Sequence, residues 1–114
     1  MSPKFPLTVA EKQKILYLNP NSPQEMVEWG NRYREAGLWH DALEFYAAAK
    51  DAPSLEAVVR AAGEQGDLIL LLNACRAQGV PPPAGALTAV RDGAKALGKE
   101  AEARRADLLL VPSR

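Results

Sequence analysis

The residues best suited to chemistry are His40 and Cys75, each the only one of its kind in the chain. His40 is followed by Asp41, and histidine with a carboxylate is a common proton-transfer pair. Neighbouring residues on a helix point about 100° apart, so these two are not predicted to face each other. Cys75 lies on an apolar helical stripe and is predicted to be core. A zinc site needs more ligands than these, so we expect no metal site and no catalytic residue.

The glycines of the chain do not predict a cofactor-binding site. They are scattered singly among predicted helix ends and crossings, so no glycine-rich phosphate loop is formed. The carboxylates each have a neighbouring base or a capping position, and they are interpreted as solvated helix faces. We therefore expect a protein that is not an enzyme and that binds no cofactor.

Composition favours a soluble, cytoplasmic domain spanning residues 1–114. A chain of 114 residues with 47% hydrophobic residues can bury one core. Its 14 basic and 14 acidic residues are well mixed, which argues against a nucleic-acid partner or a membrane-surface partner. A single cysteine allows no internal disulfide and fits a reducing compartment. The run Leu68–Leu72 is far shorter than the roughly 20 residues that span a bilayer.

Capping and turn residues divide the chain into seven predicted helices. Thr8 and Glu11 form a capping box that opens an N-terminal helix over 8–18. Three helical hairpins are predicted over about 22–52, 54–79 and 83–111, with glycine turns at Gly37, Gly66 and Gly98. The predicted N-caps of the second, fourth and fifth helices are Ser22, Ser54 and Asp67. No strand pattern occurs, although Asp92-Gly93 leaves open a turn that splits the sixth helix.

The first hairpin combines small and aromatic residues at helical spacing. Its pattern consists of Met26, Trp29, Gly30 and Tyr33, then the turn at Gly37, then Ala42, Tyr46, Ala49 and Pro53. A glycine inside a helix costs about 1 kcal/mol relative to alanine. Gly30 is therefore predicted at a close helix crossing, with the aromatic rings filling the space beside it.

Residues 22–53 resemble one tetratricopeptide repeat, a helical hairpin that stacks on its neighbours. The resemblance implies an all-α fold: a right-handed α-solenoid of about three antiparallel hairpins plus the N-terminal helix, which would be the second helix of a preceding repeat. The later hairpins keep the glycine rhythm and lose the side-chain signature, so other α-solenoids, such as the coatomer type, remain open for residues 54–111.

In this family the first helix of each hairpin lines a concave groove that holds a peptide. Carried over by position, the resemblance implies a groove formed by Val27, Asn31, Arg34, Glu56, Arg60, Thr88, Asp92 and Lys95. Asn31 stands where the family often holds a peptide backbone, and the cations can pair with a ligand carboxylate. Val27 replaces the lysine of carboxylate-clamp members, which argues against that binding mode. The leading hypothesis is a protein–protein interaction adaptor that binds a partner segment here.

Two apolar runs carry further expectations. Leu68–Leu72 is apolar all round, which predicts a fifth helix buried on every side. The closing run comprises Leu108, Leu109, Leu110 and Val111, and terminal repeats normally need a polar outer face. We expect the earlier hairpins to cover this run. Otherwise it is an assembly surface, and the alternative hypothesis is a structural subunit that homodimerises or docks on a larger complex.

Overall fold

The computed structural model describes residues 5–18 and 22–110. Those residues form helices connected by short turns, and no strand occurs among them. The helices are α1 (Val9–Gln13), α2 (Pro23–Glu35), α3 (Trp39–Ala49), α4 (Ala52–Gln65), α5 (Leu68–Gln78), α6 (Ala84–Ala96) and α7 (Glu100–Leu110), and a π-helical turn over Lys14–Leu18 follows α1. The predicted all-α class is confirmed for this part of the chain.

Most helix ends lie where local capping chemistry predicts them. The Thr8 hydroxyl accepts a hydrogen bond from the Glu11 amide, and the Glu11 carboxylate accepts one from the Thr8 amide, which completes the predicted capping box. The Ser22 and Asp67 side chains cap α2 and α5. The predicted glycine turns are also confirmed, since Gly37, Gly66 and Gly98 all have positive φ. These ends follow from groups within four residues of each other.

Two predicted boundaries are wrong. Helix α4 begins at Ala52 rather than after Ser54, because Pro53 is compatible with the first turn of a helix and does not break it there. The split at Asp92-Gly93 does not occur, and α6 is continuous from Ala84 to Ala96.

Packing contacts group the chain into two compact units with their boundary between Asp51 and Ala52, and each is described by itself. In the first unit α2 packs against α3. Tyr33 stacks on Phe45 with ring centroids 5.5 Å apart, and Trp29 also stacks with Phe45 at 6.3 Å. Phe45 is fully buried, although the sequence analysis did not place it on the core stripe of α3.

Gly30 lies at a close crossing, as predicted. A Cβ atom built on it would lie 2.4 Å from Cε1 of Tyr46, whose side chain is fully buried. This distance leaves no space for any other residue unless the tyrosine ring moves.

The second unit is organised around α4, which packs against both α5 and α6, while α6 also packs against α7. The backbones of α4 and α6 nearly touch: a Cβ atom on Gly93 would lie 2.0 Å from the carbonyl oxygen of Gly63. Along this contact Gly63 lies beside Ala89, and Gly66 lies beside Ala94. Because these contacts follow the same chain order on both helices, α4 and α6 run in the same direction.

Two burial predictions for the second unit are wrong. Helix α5 buries Leu68, Leu70 and Leu71 but leaves Ile69 51% exposed, so it is not covered on every side. The helical spacing of Leu87, Val90, Ala94 and Leu97 predicts that all four are core residues of α6, but Leu97 is 57% exposed at the helix end. The apolar pattern identifies a helix face, and the number of neighbouring helices then decides how much of that face is covered.

Candidate interaction surfaces

The three predicted groove residues of the first unit lie on α2, and two of them have internal partners. The Tyr46 hydroxyl donates a hydrogen bond of 2.6 Å to Oδ1 of Asn31. Burial raises the pKa of Tyr46 above its ordinary value, so the phenol keeps its proton at neutral pH. Asn31 thus holds the ring that fills the crossing at Gly30, although Asn31 itself is exposed.

Arg34 is exposed, and its guanidinium lies 5.3 Å from the centroid of the Trp39 ring. A cation over an indole face is a favourable contact, so Arg34 joins α2 to the start of α3. Val27, the third predicted residue, is half-buried. The structure therefore gives Asn31 and Arg34 roles within the hairpin, and their predicted binding of a peptide stays a prediction.

The predicted groove residues of the second unit lie on the paired helices α4 and α6. Glu56, Arg60, Asp92 and Lys95 are exposed, and Thr88 is half-buried. By the register of the Gly63–Ala89 and Gly66–Ala94 contacts, Arg60 lies at the level of Thr88 on the neighbouring helix. The packing of α4 on α6 thus places these residues on two helices that lie side by side.

The charges on these two helices are not equally satisfied. The Asp92 carboxylate accepts a 3.1 Å hydrogen bond from Nε of Arg91. Within the part of the chain that the structure describes, no ion pair forms at Arg60 or at Lys95. Both cations are therefore available to a carboxylate from outside.

Arg91 is a structural residue that the sequence analysis did not identify. Its guanidinium bonds Asp92 on α6 and also Asp107 on α7, the latter at 3.3 Å. Hydrogen bonds to these two carboxylates raise the pKa of Arg91 above its ordinary value. No sequence pattern links positions 16 residues apart in this way, because the pairing depends on how α7 packs on α6.

The expectation that the C-terminal run is covered by the earlier hairpins is wrong for two of its members. Leu108 is 67% exposed and Leu109 is 50% exposed, whereas Leu110 is half-buried. Helix α7 buries Ala103 and Ala106, and by helical spacing Leu108 lies on the opposite side of the helix while Leu109 lies at the flank. Leu108 borders an open depression of about 390 Å³, and its other lining residues are Arg104, Asp107 and Leu110. Val111 lies outside the described residues.

Residues 5–18, named the strap here, cover part of the α2–α3 hairpin. The ring of Phe5 meets Tyr33 edge-on with centroids 4.8 Å apart. The Leu7 amide donates a 3.0 Å hydrogen bond to the Tyr33 hydroxyl. These two contacts bring the first residues of the strap onto the ring of Tyr33.

Lys12 joins the strap to α3. Its ammonium group forms ion pairs with Asp41 and Glu44, the latter at 2.7 Å. Partial burial disfavours the charged lysine, but the hydrogen bonds to the two carboxylates outweigh this and raise its pKa. The sequence analysis missed this cluster, because its members are about 30 residues apart and become neighbours only when the strap packs on the hairpin.

The histidine and the cysteine occupy different environments. His40 is exposed at the start of α3, whereas Cys75 is 2% exposed, which confirms its predicted place in the core. Burial raises the pKa of the Cys75 thiol, so it is not activated as a thiolate. No group of three or more histidine, cysteine or carboxylate side chains converges on a metal-sized site in residues 5–18 and 22–110.

The helices described here are also short or polar. None of those within the two described ranges combines the length and the apolar character needed to cross a bilayer.

Comparison with protein-family models, with curated proteins and with solved structures finds no match to this chain. The resemblance of residues 22–53 to a tetratricopeptide repeat therefore depends on those residues themselves.

Proposed function

We propose that this chain is a non-catalytic interaction module of the tetratricopeptide-like type, which binds a segment of a partner protein along the exposed surface of α4 and α6. The observation that carries the proposal is the parallel, backbone-close packing of α4 on α6 at Gly63 and Gly93. In stacked helical hairpins the first helices of successive hairpins lie side by side and in the same direction, and they form the binding wall. The right-handed solenoid is part of this proposal.

The charges on this wall indicate the partner's chemistry. Arg60 and Lys95 are exposed and form no ion pair among the described residues. A peptide with carboxylates at matching positions would gain two charge-assisted contacts, while apolar burial between the helices would supply most of the free energy. The balanced charge of the whole chain favours a protein partner over nucleic acid, and its single cysteine favours a cytoplasmic location.

Reversing the charges of Arg60 and Lys95 should strongly weaken binding of such a peptide. The probe is a synthetic peptide chosen by selection of the full chain against a displayed library of random dodecamers. We expect Arg60→Glu with Lys95→Glu to weaken binding of that peptide at least a hundredfold, since each of the two lost charged contacts is worth about 1.5–3 kcal/mol and about 1.4 kcal/mol is a factor of ten. Isothermal titration calorimetry measures the change.

The control is Lys14→Glu with Arg76→Glu, which changes the net charge equally at two exposed positions that do not belong to α4 or α6. This variant should bind the peptide like the wild type. Equal affinity for the wild type and the Arg60–Lys95 variant, with unchanged helicity, would place the binding surface elsewhere.

The exposed leucines of α7 favour the second candidate function, an assembly subunit. Leu108 and Leu109 are large apolar residues on the surface of a terminal helix, where a self-complementary contact can form. If the chain homodimerises through α7, multi-angle light scattering should show a dimer that Leu108→Glu converts to a monomer. A wild-type chain that stays monomeric at millimolar concentration would exclude the homodimer.

A further inference from the structure

We propose that the face of α2–α3 under the strap is a docking surface for a segment of another protein that carries an aromatic ring, a lysine and two adjacent aliphatic residues. The strap, residues 5–18, would be its built-in competitor. This surface consists of Tyr33, Asp41 and Glu44 and is distinct from the wall of α4 and α6. The proposal therefore does not depend on the proposed function.

The strap itself shows which chemistry the surface accepts. Phe5 supplies an aromatic edge to Tyr33 at 4.8 Å, and a backbone amide reaches the Tyr33 hydroxyl at 3.0 Å. Lys12 then places one ammonium group between two carboxylates and 5.8 Å from the Tyr33 ring. A ring, a main-chain donor and a lysine are features that any extended or helical segment can present.

The surface needs an occupant with a cation. Asp41 and Glu44 are one turn apart on α3, and like charges at this spacing destabilise a helix. Lys12 offsets that repulsion by pairing with both carboxylates. Tyr33 is only 3% exposed in the chain with the strap in place, so removing the strap would expose an aromatic ring beside two unpaired carboxylates.

We expect the strap to open locally more easily than the hairpin that it covers. Its α-helix lasts five residues and passes into a π-helical turn over Lys14–Leu18. Single π turns within helices are rare and occur frequently at functional sites. Among the strap side chains whose burial the structure describes, Ile15 and Leu16 are buried, whereas Val9 is 77% exposed and Tyr17 is 66% exposed. A segment with so little buried apolar surface belongs to the low-stability end of local opening.

The strap and an external segment would compete for the same contacts. A tethered segment has an effective concentration of about a millimolar, so an outside segment binds weakly until the strap is loosened. A mutation that weakens the strap should raise the apparent affinity of the chain for an outside segment. The increase should be proportional to the increase in the fraction of molecules whose strap is open.

The test uses the full chain and a fluorescently labelled synthetic peptide with the sequence of residues 5–18, titrated by fluorescence anisotropy. Lys12→Glu places a third negative charge beside Asp41 and Glu44 and should release the strap. We expect this variant to bind the peptide at least tenfold more tightly than the wild-type chain. The control is Lys14→Glu, which makes the same change at an exposed strap position and should bind like the wild type.

Two further peptides decide what the surface recognises. A peptide with glutamate at the position of Lys12 should not bind. A peptide of otherwise unrelated sequence that keeps only the phenylalanine, the lysine and the Ile-Leu pair at their spacing should bind within about threefold of the original, in keeping with recognition by a few anchor residues. If that peptide fails while the original binds, the surface is specific to its own strap and the proposal is wrong.

A second variant guards against loss of folding. Phe5→Ala removes the aromatic contact and leaves both carboxylates in place, so it should also increase peptide binding if the native tryptophan fluorescence is retained. Absence of binding by both variants, with native fluorescence, would overturn the proposal. A wild-type chain that is already a dimer and that the peptide dissociates would identify a second copy as the occupant, which would also overturn the assignment to another protein.

Discussion

Replacing Gly93 with alanine should destabilise the second unit by about 3 kcal/mol or more, at the upper end of what overpacking costs. The added methyl group would lie 2.0 Å from the carbonyl oxygen of Gly63. The methyl carbon is bonded directly to the α6 backbone and the oxygen belongs to the α4 backbone, so no side-chain rotation can relieve the overlap, and α4 and α6 must separate. Thermal unfolding followed by circular dichroism at 222 nm should show a midpoint lower by roughly 10 °C.

Gly85→Ala is the matched control for this prediction. Gly85 lies on the same helix, and a Cβ atom built on it meets nothing within 4 Å. Alanine has the higher helix propensity, so this variant should be as stable as the wild type or slightly more stable. If Gly93→Ala melts at the same temperature as Gly85→Ala, the backbones of α4 and α6 do not meet at this position.

Gly30→Leu should have the largest effect in the first unit and should disrupt the α2–α3 hairpin. Even the first added carbon would lie 2.4 Å from the ring of Tyr46. That ring is fully buried, and its hydroxyl is held by Asn31, so it cannot move aside without breaking a hydrogen bond and the surrounding packing. The cost of overpacking is about 1–3 kcal/mol for small additions and increases with the size of the side chain.

Tryptophan fluorescence is the appropriate measurement for this variant, since both tryptophans of the chain, Trp29 and Trp39, lie in the first unit. We expect a red-shifted emission maximum and an earlier urea midpoint for Gly30→Leu. Glu28→Leu introduces the same side chain at an exposed position of α2 and should leave both quantities near their wild-type values.

A combined Gly30→Ala and Tyr46→Leu variant should recover part of the lost stability, because the smaller leucine side chain leaves space for the added methyl group. An unchanged midpoint for Gly30→Leu would show that Gly30 is not at a crossing.

The two glycine positions also differ in how well they can be predicted. Gly30 stands beside aromatic residues at a spacing that resembles a known repeat, so its crossing could be predicted from the sequence. Gly93 follows an aspartate, and Asp-Gly is also a common turn signal, so the same residue suggested a break in α6. Only its contact with Gly63 on another helix distinguishes a crossing from a turn.

The candidate surfaces show the same limit. The pattern of exposed residues on α4 and α6 could be predicted, because periodicity separates the two sides of each helix. Asp92 and Asp107 share Arg91, whereas Arg60 and Lys95 form no ion pair within residues 5–18 and 22–110. This difference depends on which helices become neighbours. The tetratricopeptide-like assignment stays a prediction for the same reason, since it concerns the succession of hairpins.

The sequence by itself determined the helices, their turns and most of their ends, because capping groups and glycine turns act between residues a few positions apart. Tertiary structure alone decided the close approach of Gly63 and Gly93, the contacts of Phe45 with two aromatic rings, the attachment of Lys12 to α3 and the exposure of Leu108. Each of these depends on how separate elements pack against one another. Local periodicity indicates that a face will be covered, but the geometry of packing decides what covers it and how closely.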